Sequence, residues 1–133
     1  MFQSEDMKSL LIIDGYNVIK NFYAGSTSFS DKRKQFIKDI SNCLDYKDFT
    51  KVVVFDSKEQ SFDYSEKVGE IKVIYSGYHK SADSIIENIV TSNTSYNKII
   101  VVTSDLALQQ VIFGVKNTLR KSSREFYYEI SKK

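Results

Sequence analysis

The chain has 133 residues, 41% of them hydrophobic and 27% charged, a balance that suits one folded domain and excludes a disordered polypeptide. A single cysteine, Cys43, rules out an intrachain disulfide and a thiolate zinc site. No apolar run approaches the roughly 20 residues of a membrane span, and the formal net charge of +2 is too small to mark a nucleic-acid binder by itself.

The N-terminal stretch carries Glu5 and Asp6 and no apolar run of signal-peptide length. A short β-branched run at 10–13 predicts a buried strand, ending at Asp14. Gly15 permits a sharp turn out of that strand, which can swing Asn17 back toward Asp14. Ser30 is placed to cap a helix through Phe36, Ile37, Ile40 and Leu44, with Cys43 filling the core. A second strand at 52–55 ends at Asp56 and Ser57. The polar segment 57–69 reads as a loop with room for a short helix. A third strand covers 71–75. After a loop containing His79, the only histidine, Ser81 caps a helix bearing Ile85, Ile86, Ile89 and Val90. The fourth strand, 99–102, runs into Thr103, Ser104 and Asp105. Asp105 opens a helix through Leu108 and Ile112 that Gly114 is placed to end. Ser122 and Glu125 form a capping box for a last helix carrying Phe126, Tyr127 and Ile130.

The order β-α-β-β-α-β-α-α predicts an α/β domain, 1–133, around a mostly parallel sheet of about four strands. The strands show little polar alternation, as expected where both faces are covered. Proline is absent and only five glycines occur, so long linkers are not expected.

Ligands of an open parallel sheet bind at the carboxyl ends of its strands. Asp14, Asp56 and Asp105 each follow a strand, and Asp83 stands at a helix start facing the same edge. Carboxylates gathered there repel one another unless protons or cations intervene. A hard divalent ion, Mg²⁺ or Mn²⁺, relieves that repulsion with a few carboxylates and several waters, and can activate water against a phosphodiester. Each acid also has a plainer role open to it. Asp105 suits a helix cap, Asp56 a turn, and Glu87, four residues beyond Asp83, either a supporting group or a solvated surface residue. Asn17 can orient Asp14 or bind a phosphate oxygen, or it can close an Asx-turn.

These residues carry a resemblance. The run from Leu11 through Asp14, Tyr16 and Asn17 to Ile19 is similar to the opening motif of NYN domains, the YacP-like branch in particular. Val53, Val54, Phe55 and Asp56 resemble that branch's second strand. The run from Ala82 and Asp83 to Glu87 resembles its acidic helix start, and Thr103, Ser104 and Asp105 its third acidic motif. The segment from Ile112, Phe113 and Gly114 to the Arg120, Lys121, Ser122, Ser123, Arg124, Glu125 run is similar to the C-terminal part of the family. The motifs follow in order from about residue 10 to 129. The segments after the first strand and around 57–69 are short for the branch, and residues 77–80 depart from its pattern.

The resemblance implies a PIN-like three-layer α/β/α fold and a Mg²⁺- or Mn²⁺-dependent endoribonuclease acting on single-stranded RNA. It implies Asp14, Asp83 and Asp105 as metal-site acids, with Asn17 supporting Asp14; Asp56, Glu87 and Ser104 are candidates for supporting groups around them. It further implies mRNA as substrate and association with the ribosome, since relatives of the branch cut mRNA during translation. A non-catalytic RNA- or ribosome-binding module on the same fold is the alternative.

The chain is basic toward its C-terminus, a helix being expected from about residue 120. Arg120, Lys121 and Arg124 suit RNA phosphates there, or salt bridges to Glu125 and Glu129. Of the tyrosines, Tyr16 and Tyr78 are the candidates for stacking on unpaired bases. A dehalogenase-type phosphatase would need an acid where Tyr16 stands, and no Walker-type glycine loop occurs, so no nucleotide cofactor is expected. A protein with one free thiol fits the cytoplasm, and no membrane partner is expected.

Overall fold

A computed structural model describes residues 8–57, 63–92 and 95–132. Glu5, Asp6, positions 58–62 of the segment read as a loop, and Lys133 lie outside the described residues. The strands are β1 (Ser9–Asp14), β2 (Thr50–Phe55), β3 (Tyr64–Val68), β4 (Ile71–Tyr75), β5 (Lys98–Val102) and β6 (Thr118–Lys121). The helices are α1 (Gly15–Phe22), α2 (Phe29–Asn42), α3 (Ala82–Ser92), α4 (Leu106–Ile112) and α5 (Ser123–Ser131), with a 3-10 turn at Leu44–Tyr46. No helix of the described residues is long and apolar enough to cross a membrane.

The sheet has six strands in the order β3-β4-β2-β1-β5-β6. All pairings are parallel except β3 against β4. The three-layer, mostly parallel architecture is therefore as expected, with two more strands than the roughly four anticipated. Both extra strands lie at the edges. β3 occupies part of the segment read as a loop, and every one of its residues is exposed, so it carries none of the apolar signal of a buried strand. In β6, Leu119 and Arg120 are exposed. Edge strands need pairing on one side only, and these two are held by backbone hydrogen bonds more than by burial.

The pleat sorts the central strands onto two layers. Leu11, Ile13, Val53, Phe55 and Val102 face Val18, Phe36, Ile40 and Phe126 of α1, α2 and α5. Leu10, Ile12, Val52, Val54 and Val101 face Ile85, Ile86, Leu108 and Ile112 of α3 and α4. Each such side chain contributes about 1.5–3 kcal/mol when fully buried, and this burial sets the register that aligns the strand ends.

The expected helices form, with three changes, one being that α2 ends at Asn42 and leaves Leu44 exposed in the 3-10 turn. Ser28, not Ser30, caps α2, its hydroxyl accepting from the Asp31 N–H. An additional helix, α1, starts directly off β1, so Gly15 is its first residue rather than the pivot of a turn. Gly15 is needed for space: a Cβ there would lie 2.6 Å from Phe55 Cε1 and 2.8 Å from Val53 Cγ1. Its absence lets α1 settle against β2 at the mouth of the sheet. Ser81 accepts from the Ser84 N–H at the start of α3, Gly114 follows α4 at φ 89°, and the Ser122–Glu125 capping box is complete. The basic C-terminal helix starts at Ser123, which leaves Arg120 and Lys121 in β6. Cys43 is half-buried against the core.

Candidate active site

β1 lies between β2 and β5. The chain moves from β1 to one side through β2 and β4, then crosses back through α3 to β5 on the other. The carboxyl ends of β1 and β5 thus flank the switch point of the sheet, where such folds leave a crevice. Ile13 pairs with Val102, so Asp14 and Thr103 emerge side by side.

Asp14 is only 8% exposed. Its Oδ2 accepts from the Thr103 hydroxyl at 3.0 Å. Burial pushes its pKa from 3.8 up to about 6; the Thr103 hydrogen bond pulls it down, the charge of Asp83 raises it, the Asn17 backbone N–H lowers it, and Asp105 raises it further. Asp83, in the first turn of α3, is also raised, first by burial and then by the charges of Asp105 and Asp56. Asp83 is the link: it shares the field of Asp105 with Asp14 on one side and meets that of Asp56 on the other, the four acids arriving by a strand end, a helix start, a helix cap and a loop.

Asp105 caps the helix that follows it. Its Oδ1 caps α4, accepting from the N–H groups of Ala107 at 2.9 Å and Leu108 at 3.2 Å. Its Oδ2 makes no hydrogen bond among the described residues. Asp56 is half-buried and accepts from the Ser76 hydroxyl at 3.3 Å, where the ends of β2 and β4 are tied together. Glu87 is exposed on α3 and makes no side-chain link to these acids among the described residues. His79 is exposed in its loop.

Asn17 does not close an Asx-turn. Its Oδ1 accepts from the Ser123 hydroxyl and, at 3.2 Å, from the Ser104 N–H. Ser104 Oγ in turn accepts from the Ser123 N–H at 3.1 Å. With Oδ1 committed to donors, the amide N–H₂ is the end left for the crevice. Two hydroxyls missed by the sequence analysis thus organise the site. Thr103 donates to Asp14 and accepts from the Asp105 N–H at 3.0 Å, joining two acids through one oxygen. Ser123, fully buried, fixes Asn17. The only signal for Thr103 was its place between a strand and an acid; for Ser123 it was the paired serine at a helix start.

The chemistry of this donor set suits a hard cation. Among the described residues no three acidic, histidine or cysteine side chains stand close enough to form a ready-made metal cage. A buried carboxylate with charged neighbours is nonetheless short of positive charge, and Mg²⁺ takes one or two carboxylates and keeps its waters. A cleft of about 690 Å³ opens between the C-terminal ends of α2 and α5, and none of these acids lines it.

The basic residues divide. Arg124 is exposed, and Arg120 is exposed with its guanidinium 5.7 Å from the Phe113 ring centre. Lys121 is held inward, its Nζ 2.6 Å from Glu129 Oε2 and 2.9 Å from the Tyr46 hydroxyl. Burial works against its charge, but these two hydrogen bonds outweigh it and leave its pKa above the ordinary lysine value. For Lys121 the salt bridge to Glu129, rather than a phosphate, is what the fold provides. Tyr16 and Tyr78 are both exposed, at 45% and 52%.

The sequence model of the YacP-like NYN domain matches residues 11–133. Two crystal structures of Rae1 (YacP) from Bacillus subtilis are similar to the chain. A mutant form aligns with a TM-score of 0.74 at 30% identity, over 93% of this chain and 75% of that one. The other form aligns with a TM-score of 0.72 at 29% identity, over 91% and 72%. No curated protein matches the chain.

Proposed function

Since this chain belongs to the YacP-like NYN domain family, a group of nuclease-type, RNA-related domains, we propose that it is a divalent-metal-dependent endoribonuclease cleaving single-stranded RNA. One observation carries the reading: the buried Asp14 carboxylate at the switch point of the sheet, in the fields of Asp83 and Asp105. Mg²⁺ or Mn²⁺ bound there would supply an activated water and steady the charge on the phosphodiester. Asp14, Asp83 and Asp105 are the residues that would hold it, with Asp56 contributing charge beside Asp83.

The remaining roles belong to the chain's own groups. Thr103 donates to Asp14 Oδ2, which fixes the carboxylate and favours the ionised form. Asn17, its Oδ1 held by Ser123 and Ser104, offers N–H donors to a phosphate oxygen. Arg120 in β6 and Arg124 in the first turn of α5 are candidates for neighbouring phosphates. Identification of mRNA as the substrate, and of the ribosome as the place of cleavage, is supported by likeness to the branch. A cytoplasmic location is supported by the lone thiol.

The test is cleavage of free and translating mRNA with and without Mn²⁺, wild type beside Asp83→Asn. The substitution should slow cleavage by about a thousandfold or more and leave the circular dichroism spectrum unchanged. RNA binding without cleavage by the wild type in either metal would instead mark a non-catalytic binding module.

A further inference from the structure

One flank of the molecule is unused by the site just described. Between α2 and β4 lies a cleft of about 470 Å³, lined by Arg33, Lys34, Ile37 and Lys38 of α2 and by Val73 and Tyr75 of β4. Its floor is apolar and its helical wall cationic. Lys34 and Lys38 are exposed, and no described acid pairs with any of the three cations. Among the described residues Glu66 is the one acid lining the cleft, and it accepts from the Tyr75 hydroxyl at 3.1 Å.

Tyr75, which lines this cleft, belongs to a group of aromatic rings that extends beyond it. Phe55, Tyr75 and Tyr64 form a column, with centroids 5.7 Å and 4.8 Å apart and planes within 21° and 18°. Tyr64, at the end of the column, is 46% exposed. The Arg33 guanidinium sits 5.6 Å from the Tyr75 ring centre, 5.7 Å from Phe29 and 5.9 Å from Phe55. Phe29 meets Phe55 at 6.2 Å and Tyr16 at 5.3 Å. Tyr16 follows Asp14 by two residues and Phe55 precedes Asp56. Phe55 and Tyr75 are themselves buried, and the accessible path from the acids to the cleft runs over Tyr16, Phe29 and Arg33.

A positively charged groove with aromatic platforms is the combination that holds unpaired nucleic acid: cations track the phosphates, and rings receive the bases. We infer that the α2–β4 cleft is a binding track for single-stranded RNA on its way to or from the aspartates, with a base stacked on Tyr64 and phosphates on Arg33, Lys34 and Lys38. This rests on the RNA-cleaving reading above and adds where the strand runs beyond the scissile bond. Lys34 and Lys38, at i and i+4, lie one helical turn apart, about 6 Å along the axis. They share a face of α2 and so can meet successive parts of one backbone.

The experiment measures binding of labelled oligouridylates of about 12 and about 4 nucleotides by fluorescence anisotropy, in chelator without divalent metal. The double variant Lys34→Glu and Lys38→Glu changes exposed residues and should keep its melting temperature. It should weaken binding of the long RNA by about tenfold or more and reduce the slope of log Kd against log salt by about 1 to 2, while the short RNA loses less than about twofold. Tyr64→Ala should weaken the long RNA and Tyr64→Phe should restore it, as stacking requires. In cleavage, the charge reversals should raise KM for the long RNA and leave kcat in place. Unchanged binding of the long RNA, or an equal loss for both lengths, overturns the track. A wild type that shows this length-dependent binding and cuts nothing leaves the track standing and defeats the nuclease reading instead.

Discussion

Beneath α5, Lys121 reaches Glu129 at 2.6 Å and the Tyr46 hydroxyl at 2.9 Å. At the carboxyl ends of β1 and β5, by contrast, Asp14 faces the charges of Asp83 and Asp105. Both places withdraw charge from water, and they do so in opposite ways. The first matches each charge with its opposite and adds a hydrogen bond, which is how an ionised group is kept inside at tolerable cost. The second collects charges of one sign and gives them hydroxyl and amide donors in place of a cation. Only the second leaves an electrostatic deficit that something from outside must fill, and that separates a structural ion pair from a site.

The difference predicts opposite responses to neutralising one member. Asp14→Asn should abolish cleavage, by about a thousandfold or more, and at the same time stabilise the metal-free protein. Below about pH 3.8 the carboxyl is neutral in the folded and unfolded chain alike; above about 6 it is charged in both, and the folded state bears the full burial penalty. Between those values the folded state holds the proton more tightly, so wild-type stability falls as pH rises. The Asn variant lacks that fall and should gain about 1–3 kcal/mol at pH 7 in urea denaturation. Equal stability of the two proteins at pH 7 would show that Asp14 carries no such penalty. Glu129→Gln should act the other way, losing about 1 kcal/mol by leaving the half-buried Lys121 with weaker partners, as read from thermal or urea melts.

Two smaller effects concern the site's proton and its hydroxyls. Cleavage at subsaturating Mn²⁺ should rise with pH through about 6, where Asp14 loses its proton, and flatten above it. A profile flat from pH 5 to 7 would exclude Asp14 from that step. Ser123→Ala should lower kcat by about tenfold, the worth of one hydrogen bond, by freeing the Asn17 amide to rotate. Ser123→Thr keeps the hydroxyl and should recover most of it if the added methyl fits. A purely structural role for Ser123 would reduce stability and leave kcat per folded molecule unchanged.

The acids were legible in the sequence because each follows an apolar run that can only be a strand, or opens a helix, and parallel sheets put those positions on one edge. Asp14 and Asp105 needed no more than that. Thr103 and Ser123 were not legible, since a hydroxyl carries no charge and no periodicity, and its partner, Asp14 or Asn17, is far away in the chain. The helix α1 escaped notice because its start has no capping side-chain hydrogen bond and Gly15 suggests a bend. What Gly15 answers is the approach of Phe55 and Val53, a tertiary fact with no local trace. The edge strands were missed for a related reason: β3 and the middle of β6 face solvent and show no apolar pattern. For Lys121 both partners stayed open, because charge alone does not say whether Glu129 or a phosphate stands opposite.

Those same outermost strands bear on how the molecule behaves among its own copies. A sheet closed by helices on two faces is still open at its rims, where unpaired N–H and C=O groups invite another rim to dock. Here one rim runs antiparallel through Glu66 and Lys67, and the other is four residues long and ends in Arg120 and Lys121. Shortness and ionised side chains discourage rim-to-rim stacking, so a crowded solution of this protein should resist fibrous association.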